Sequence, residues 1–467
     1  MNNELYCNDK HSKLNPTLVD EVLHPRSEKE VIAAIRQAAA DERPISICGA
    51  RHAMGGQQFG SGTLLLDLSG LNELQAIDDQ LGHVEAGAGL MWPELIEGLH
   101  EQQATSELVW SIRQKQTGAD DLTLGGALAA NVHGRGLEMR PIIDDVEAFT
   151  LIDANGKRHR CSRSENAELF RLAIGGYGCF GVITSVLLRL SPRRKLERLV
   201  EVTRIDKLVP RLESLVSEGC LYGDFQFSID ETSPDFLSRG VLSCYRPVDD
   251  SRPMPEMRQE LDADDWEKLI DLAHHDRAKV FEVYSNFYLS THQSLYWSDT
   301  HQLSVYLDDY HSRLDEACRA PVPASEMISE LYVPRQHLQA FMQGAAEQLR
   351  DGSVPVIYGT VRLIKQDQES FLAWAKDDYA CIIFNLHTEH SAAGVNRSIT
   401  AFRALIDLAL SFGGSYFLTY HRWAQKDQVE MAYPEFIEFL ELKEKYDPQH
   451  RFQSDWWRHY QELFHQG

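Results

Sequence analysis

Arginine, histidine and small residues recur in the N-terminal part of the chain at spacings suited to holding a charged, flat ligand. In Pro44-Ile-Ser-Ile-Cys-Gly-Ala-Arg-His-Ala-Met-Gly-Gly-Gln58, Ile45 to Cys48 read as a short buried strand and Gly49 as the start of a tight turn. Arg51 and His52 sit at the tip of that turn. Successive backbone N–H groups on such a turn form an anion-binding nest, and an adjacent arginine suits a pyrophosphate. A second segment, Leu122-Thr-Leu-Gly-Gly-Ala-Leu-Ala-Ala-Asn-Val-His-Gly134, carries the pair Gly125 and Gly126. Without a Cβ these residues let backbone approach a large planar ligand, and the segment is expected as an extended strand. Two such segments imply a dinucleotide held in extended form.

The chain has 467 residues, enough for two or more domains with sizeable cores. It is 43% hydrophobic and 25% charged, an ordinary globular composition. A net charge of −24 argues against nucleic acid and anionic membrane surfaces as partners. The N-terminus lacks a basic stretch followed by an apolar run, and no segment reaches the length of a membrane span, so a cytoplasmic protein is expected. The eight cysteines are scattered without a Cys-x-x-Cys pair, which points to reduced thiols. The nearest histidine pairs, His274-His275 and His387-x-x-His390, have no Glu or Cys companion at ligand spacing. They read as solvated or core histidines, and no metal is expected.

The elements that must position these residues follow from periodicity. Ser27-x-x-Glu30 is a capping box opening a helix through Val31, Ile32, Ile35 and Ala39. Leu64 to Leu68 and His83 to Ala86 read as strands. Phe149 to Ala154 and Lys157 to Cys161 flank Asn155-Gly156, a hairpin signal. Ala167 to Ile174 reads as a helix and Val182 to Leu190 as a strand. From 196 to about 415, helical patterns over Asp264 to Lys279 and Arg335 to Arg350 alternate with strands at Leu221–Ile229, Val354–Leu363 and Ala380–Leu386. An amphipathic helix follows around Phe436 to Lys445. The predicted organisation is α+β, with a first domain at 1–195, a second domain with an antiparallel sheet covered by helices at 196–415, and a C-terminal segment, 416–467, returning to the first.

Gly176-Tyr-Gly178-Cys-Phe-Gly181 matches Gly-x-Gly-x-x-Gly, but a helix precedes it and a strand follows. A nicotinamide-type fingerprint requires the reverse order, because the helix N-terminus receives the pyrophosphate. These glycines read instead as a tight turn, near an adenine.

Taken together, Gly49-Ala-Arg-His52, Leu64-Leu-Leu-Asp-Leu68, Val84-Glu-Ala-Gly-Ala-Gly89, Thr123-Leu-Gly-Gly-Ala127, His133-Gly134 and Gly178-Cys-Phe-Gly-Val-Ile183 resemble the FAD domain of the vanillyl-alcohol-oxidase (PCMH-type) flavoproteins. Within them the chain is similar to the sugar and polyol branch of aldonolactone oxidases, alditol oxidases and decaprenylphosphoryl-ribose oxidases. Gln425-Lys-Asp427, Ala432-Tyr-Pro434 and Asp447-Pro…Phe452-x-Ser-Asp455 resemble the last of these. The resemblance covers most of residues 20–460, and only scattered pieces of the middle domain match.

The resemblance implies that Gly49, Ala50, Arg51, His52, Ala53 and Met54 wrap the FAD pyrophosphate. It places His52 where lactone and alditol oxidases bond a histidine to the flavin C8 methyl. The decaprenylphosphoryl-ribose enzymes lack that histidine, and Ala53 replaces the usual serine after it. Gly118, Thr123, Gly125, Gly126, Asn131, His133, Gly134 and Ile183 would line the remaining FAD path. Arg362, in Tyr358-Gly-Thr-Val-Arg-Leu-Ile364, matches an active-site arginine of alditol oxidases, which have a glutamate where this chain has Thr360. Lys426 matches a lysine beside flavin and substrate in the decaprenylphosphoryl-ribose enzymes. Glu330, Asn385, His387 and His421 are candidate contacts to substrate hydroxyls, each also readable as structural.

The chemistry implied is hydride transfer from a carbinol carbon to flavin N5, with the hydroxyl proton leaving to a base or to solvent. The expected partners are a sugar, polyol or lactone and an electron acceptor, oxygen or another. Two readings stand beside it. One is an enzyme acting on a lipid-linked sugar, with an apolar tunnel or groove. The other is a non-catalytic flavin- or sugar-binding protein, favoured if Arg362 and Lys426 lie away from the flavin.

Overall fold

The computed structural model describes residues 5–255, 261–304, 307 and 310–465. Residues 1–4 of the N-terminal stretch read above for a leader lie outside them. Besides two short two-stranded pairs, the first part of the chain builds two small sheets. Strands Glu21–Leu23, Leu64–Asp67 and Ile45–Cys48 form a parallel sheet in that order. Leu64 to Leu66 are all buried, the near-continuous apolar run that a parallel strand covered on both faces requires. Helix Glu28–Ala40 lies over this sheet through Val31, Ile35 and Ala38. Half of the expected capping box forms: Ser27 accepts from the Glu30 N–H at 3.3 Å, while the Glu30 carboxylate accepts from the Arg26 N–H, one residue before the cap, at 2.8 Å.

Strands His83–Gly87, Val182–Arg189, Val146–Ile152 and Arg158–Ser162 form an antiparallel sheet in that order. The last two are the hairpin around Asn155-Gly156, with Gly156 at φ 71. The paired glycines are not in a strand. Leu124–Ala130 is a helix capped by Thr123, whose hydroxyl accepts from the Gly126 N–H at 3.3 Å. Burial of Leu124, Ala127 and Leu128 outweighs the low helix propensity of the two glycines. A Cβ on Gly125 would stand 3.1 Å from Ala88, so the glycine permits the helix to lie against that turn.

The third sheet has eight antiparallel strands, in the order Leu295–Trp297, Lys195–Arg204, Arg239–Pro247, Tyr222–Phe227, Val356–Ile364, Tyr379–Glu389, Ala324–Pro334 and Ser415–Tyr416. Helices Leu338–Leu349 and Ala392–Ser411 pack against the strands Ala324–Pro334 and, for the second helix, Tyr379–Glu389. The single helix expected over Asp264 to Lys279 is two helices, Ala263–His275 and Arg277–Ser290. Asp276 breaks them because its carboxylate accepts from the Lys279 N–H at 3.0 Å, capping the second helix.

The C-terminal segment rejoins the parallel sheet. Phe452 bridges Ile45 in parallel; the Ile45 N–H donates to Arg451 O at 2.6 Å and the Gln453 N–H to Ile45 O at 2.8 Å. The architecture is thus the α+β arrangement expected, with an antiparallel sheet in the second part and a returning C-terminus. The seven cysteines with described side chains are buried; the side chain of Cys318 lies outside the described residues. Among the described residues no helix is long and apolar enough to cross a membrane.

Candidate active site and cofactor cavity

A cavity of about 840 Å³ runs between the two N-terminal segments and one face of the eight-stranded sheet. That is toward the upper end of the roughly 300–1,000 Å³ of small-molecule sites. Residues 49–54, Gly118, Thr123, Gly125, Gly126, His133 and Ile183 line it, together with Gly178 and Gly181 of the reversed glycine motif. The turn after Ile45–Cys48 reaches the cavity because Arg51 takes a left-handed conformation, φ 65. The Arg51 guanidinium is tied to Asp67 at 3.0 Å, so an anion here meets the turn's backbone before it meets a free charge.

His52 is buried and held from both sides. Its Nδ1 is 2.9 Å from His11 Nε2 and its Nε2 is 2.8 Å from Asp121 Oδ1. Burial, and then the neighbouring His52, lower the His11 pKa to about 3, so His11 is neutral. Burial opposes ionisation of Asp121, but His52 and Lys10 hold its carboxyl well below the usual range.

The sheet face contributes the other wall. Glu330, Asn385, Thr360 and Arg362 line the cavity, as their positions on neighbouring strands dictate. Glu330 is buried and saturated with donors. Its Oε1 takes His133 Nε2 and the Tyr332 hydroxyl, both at 2.6 Å, and its Oε2 takes the Tyr420 hydroxyl at 2.8 Å. Burial pushes its pKa up, yet His133, Tyr332 and Tyr420 outweigh that and hold it at about 2. A carboxylate so stabilised accepts hydrogen bonds but is a weak proton acceptor at neutral pH.

Positive charge is concentrated on the same face. Arg135, Arg198 and Arg362 all line the cavity, and the Nε of each is buried without a hydrogen-bond partner. Asp224 is 4.0 Å from Arg135 Nη1, and Arg198 bonds Ser243 Oγ at 3.0 Å and lies over the Tyr288 ring at 4.2 Å. Thr360 Oγ1 is also buried and unpartnered. Buried polar atoms without partners are costly, and the residues that carry these line space a ligand would fill.

Five expected site residues do not line the cavity. Lys426 starts the helix Lys426–Ala432 and its ammonium lies 5.4 Å from the Phe464 ring. His421 is buried and stacked on Trp423, centroids 4.2 Å apart, and burial lowers its pKa to about 4. Asn131 caps the helix Leu124–Ala130 in a left-handed conformation and bonds Asp367 at 2.9 Å and Ser370 at 3.2 Å. Gly134 is required by close backbone, since a Cβ there would stand 2.6 Å from Lys115 O. His387 turns to Glu326, 3.3 Å from its Oε1. Conversely, His11, Asp121, Arg135, Arg198, Glu326 and Tyr420 carry no local sequence signal and enter the site through tertiary contacts alone.

An FAD fits this cradle. A Cβ on Gly118 would meet nothing within 4 Å and one on Gly178 only Ile47 at 3.7 Å, so their bare backbone borders open space. A Cβ on Gly49 would lie 2.2 Å from Thr123 Oγ1, so the glycine lets the two segments touch. Comparison with known proteins agrees. Residues 19–162 match the family described as FAD binding domain. L-Gulonolactone oxidase of Bos taurus is 29% identical over 200 residues, covering 43% of this chain and 41% of the relative. Cytokinin dehydrogenase 4 of Oryza sativa subsp. japonica is 29% identical over 197 residues, 40% of this chain and 36% of the relative. An uncharacterized oxidoreductase, ORF5 in the fasciation locus of Rhodococcoides fascians, is 29% identical over 170 residues, 36% of this chain and 37% of the relative. The chain therefore spans less than half the length of each of these relatives. Residues 19–162 carry an FAD binding domain, and FAD is the cofactor of this protein.

Proposed function

We propose that this protein is an FAD-dependent oxidoreductase that oxidises a CH–OH group of a sugar, polyol or aldonolactone. The observation that carries the reading is the Arg362 guanidinium, buried at the cavity with its Nε unpartnered, on the wall facing the FAD-binding segments. Bound FAD supplies the hydride acceptor. Arg362 stabilises negative charge that develops on the substrate oxygen or the reduced cofactor. Asn385 orients substrate hydroxyls, while Glu330, whose oxygens already take His133, Tyr332 and Tyr420, positions those groups, and its low pKa leaves the hydroxyl proton to solvent.

His52 is the proposed point of covalent FAD attachment. Asp121 beside Nε2 favours the proton there, so Nδ1 presents a lone pair, which accepts from His11 Nε2 in this structure and exchanges that contact for the flavin on attachment. Acid precipitation tests this: a yellow pellet that turns white in His52→Ala, with FAD moving to the supernatant, is the expected result.

A second reading, oxidation of a sugar joined to an apolar chain, is favoured by one feature. The helices Ala263–His275 and Arg277–Ser290 turn Trp266, Leu269, Val280, Phe281 and Phe287 toward the cavity. Lys426, the residue linking the chain to the lipid-linked branch, lies outside it. Anaerobic bleaching of the flavin by a panel of sugars, lactones, polyols and alkyl glycosides separates the two. Bleaching by none of them supports the non-catalytic alternative.

A further inference from the structure

Glu326 pairs with His387 across neighbouring strands of the large sheet, and its two oxygens are shared among four side chains. Oε1 is 3.1 Å from His274 Nε2 and 3.3 Å from His387 Nδ1. Oε2 is 2.8 Å from His311 Nδ1 and accepts from the Tyr310 hydroxyl. Glu326 is buried and lines the cavity with Tyr310 and His311. One nitrogen each of His274 and His387 and one carboxylate oxygen lie within 4.8 Å of one another.

Two features suit this group to a metal ion as well as to a hydrogen-bonded imidazolium. Ligand atoms about 2.1 Å from a tetrahedral zinc stand about 3.4 Å apart. The 3.1 and 3.3 Å separations approach that edge length, whereas the His133–Glu330 contact, 2.6 Å, is a charge-assisted hydrogen bond. The second feature is the His274 tautomer. Its Nδ1 is 2.9 Å from the Ile270 carbonyl oxygen, which can only accept, so Nδ1 carries the proton. In the neutral ring Nε2 then turns a lone pair on a carboxylate oxygen, and two acceptors at that distance need a positive charge between them. Histidines that ligate metals are held this way, the other ring nitrogen donating to a backbone carbonyl.

We propose that His274 Nε2, His387 Nδ1 and Glu326 Oε1 bind a divalent transition ion, zinc by preference, beside the cavity, which Glu326 alone of the three lines. Two nitrogens and one carboxylate oxygen leave a fourth position, the pattern of zinc sites that take water or a substrate oxygen. Tyr310 and His311 hold the other carboxylate oxygen as outer support. Zinc exchanges no electrons with the flavin, and its fourth position takes water. The ion site stands independently of the proposed oxidation.

The test uses the full-length chain, free of any tag, loaded with zinc chloride and desalted, with metal content and calorimetric titration by zinc chloride as readouts. The expected result is about one zinc per chain, with affinity falling about 100-fold in His387→Ala and in Glu326→Gln. His275→Ala, at the exposed neighbour of His274, is expected to change affinity less than about twofold. His387 is the safer position because its side chain is 23% exposed, and the FAD absorbance of each variant reports folding. Less than about 0.1 zinc per chain, or equal affinity in folded His387→Ala, overturns the site and leaves a His274 imidazolium paired with Glu326. Zinc binding without flavin bleaching would instead overturn the proposed reaction and leave the site intact.

Discussion

A carboxylate surrounded by protein ordinarily gains a proton, yet Glu330 stays charged because three donors converge on it. Its pKa of about 2 in the fold lies below its ordinary 4.5. The stability it contributes is therefore complete above about pH 4.5 and lost as pH falls toward about 2. Glu330→Gln is expected to cost about 3–5 kcal/mol at pH 7, and much less at pH 3, by urea unfolding at the two pH values. Arg362 is the opposite case, a buried cation whose Nε has no protein partner. Arg362→Met is expected to lower kcat by about 10²–10³ while FAD stays bound, read from steady-state rates and the flavin spectrum. Lys426→Ala, outside the cavity, is expected to change stability by less than about 0.5 kcal/mol and kcat by less than about twofold.

The short helix Leu124–Ala130 contributes to the cradle because one threonine does two things. Thr123 caps the helix through its hydroxyl and fits under Gly49, which has no Cβ to displace it. Thr123→Ala is expected to cost about 1 kcal/mol by loss of the cap. Gly49→Ala is expected to be worse, because a Cβ 2.2 Å from the Thr123 hydroxyl forces the cofactor segments apart. Thermal unfolding with and without added FAD checks the pair: the Gly49 variant should lose the FAD-dependent rise in Tm, and the Thr123 variant should keep most of it.

Across the whole molecule, the C-terminal return docks Phe452 beside the strand Ile45–Cys48 at the edge of the parallel sheet. Asp447 accepts from the buried Lys443 ammonium and from the Arg451 and Phe452 N–H groups, both at 2.8 Å, and so fixes the segment that bridges Ile45. Asp447→Asn leaves a buried ammonium without its counter-charge and is expected to cost about 3–5 kcal/mol in chemical denaturation. If the return supports the cradle as described, the same variant should bind FAD more weakly in fluorescence titration.

Several elements, and the two small-residue segments that line the cavity, were legible in the residues because they rest on local rules. Ser27 caps a helix, Asn155-Gly156 turns a hairpin, and the glycine at 49 lets Thr123 pack close. Local rules failed where a capping side chain decided the outcome: Thr123 made a helix of the paired glycines, and Asp276 divided one helix into two. The substrate wall was legible only in part, since strand alternation brings Glu330, Asn385 and Arg362 to one face but does not say what opposes them. His11 with His52, Tyr420 with Glu330, and His274 with Glu326 and His387 meet only in three dimensions. Their distances depend on how distant segments pack, and sequence spacing carries no trace of that.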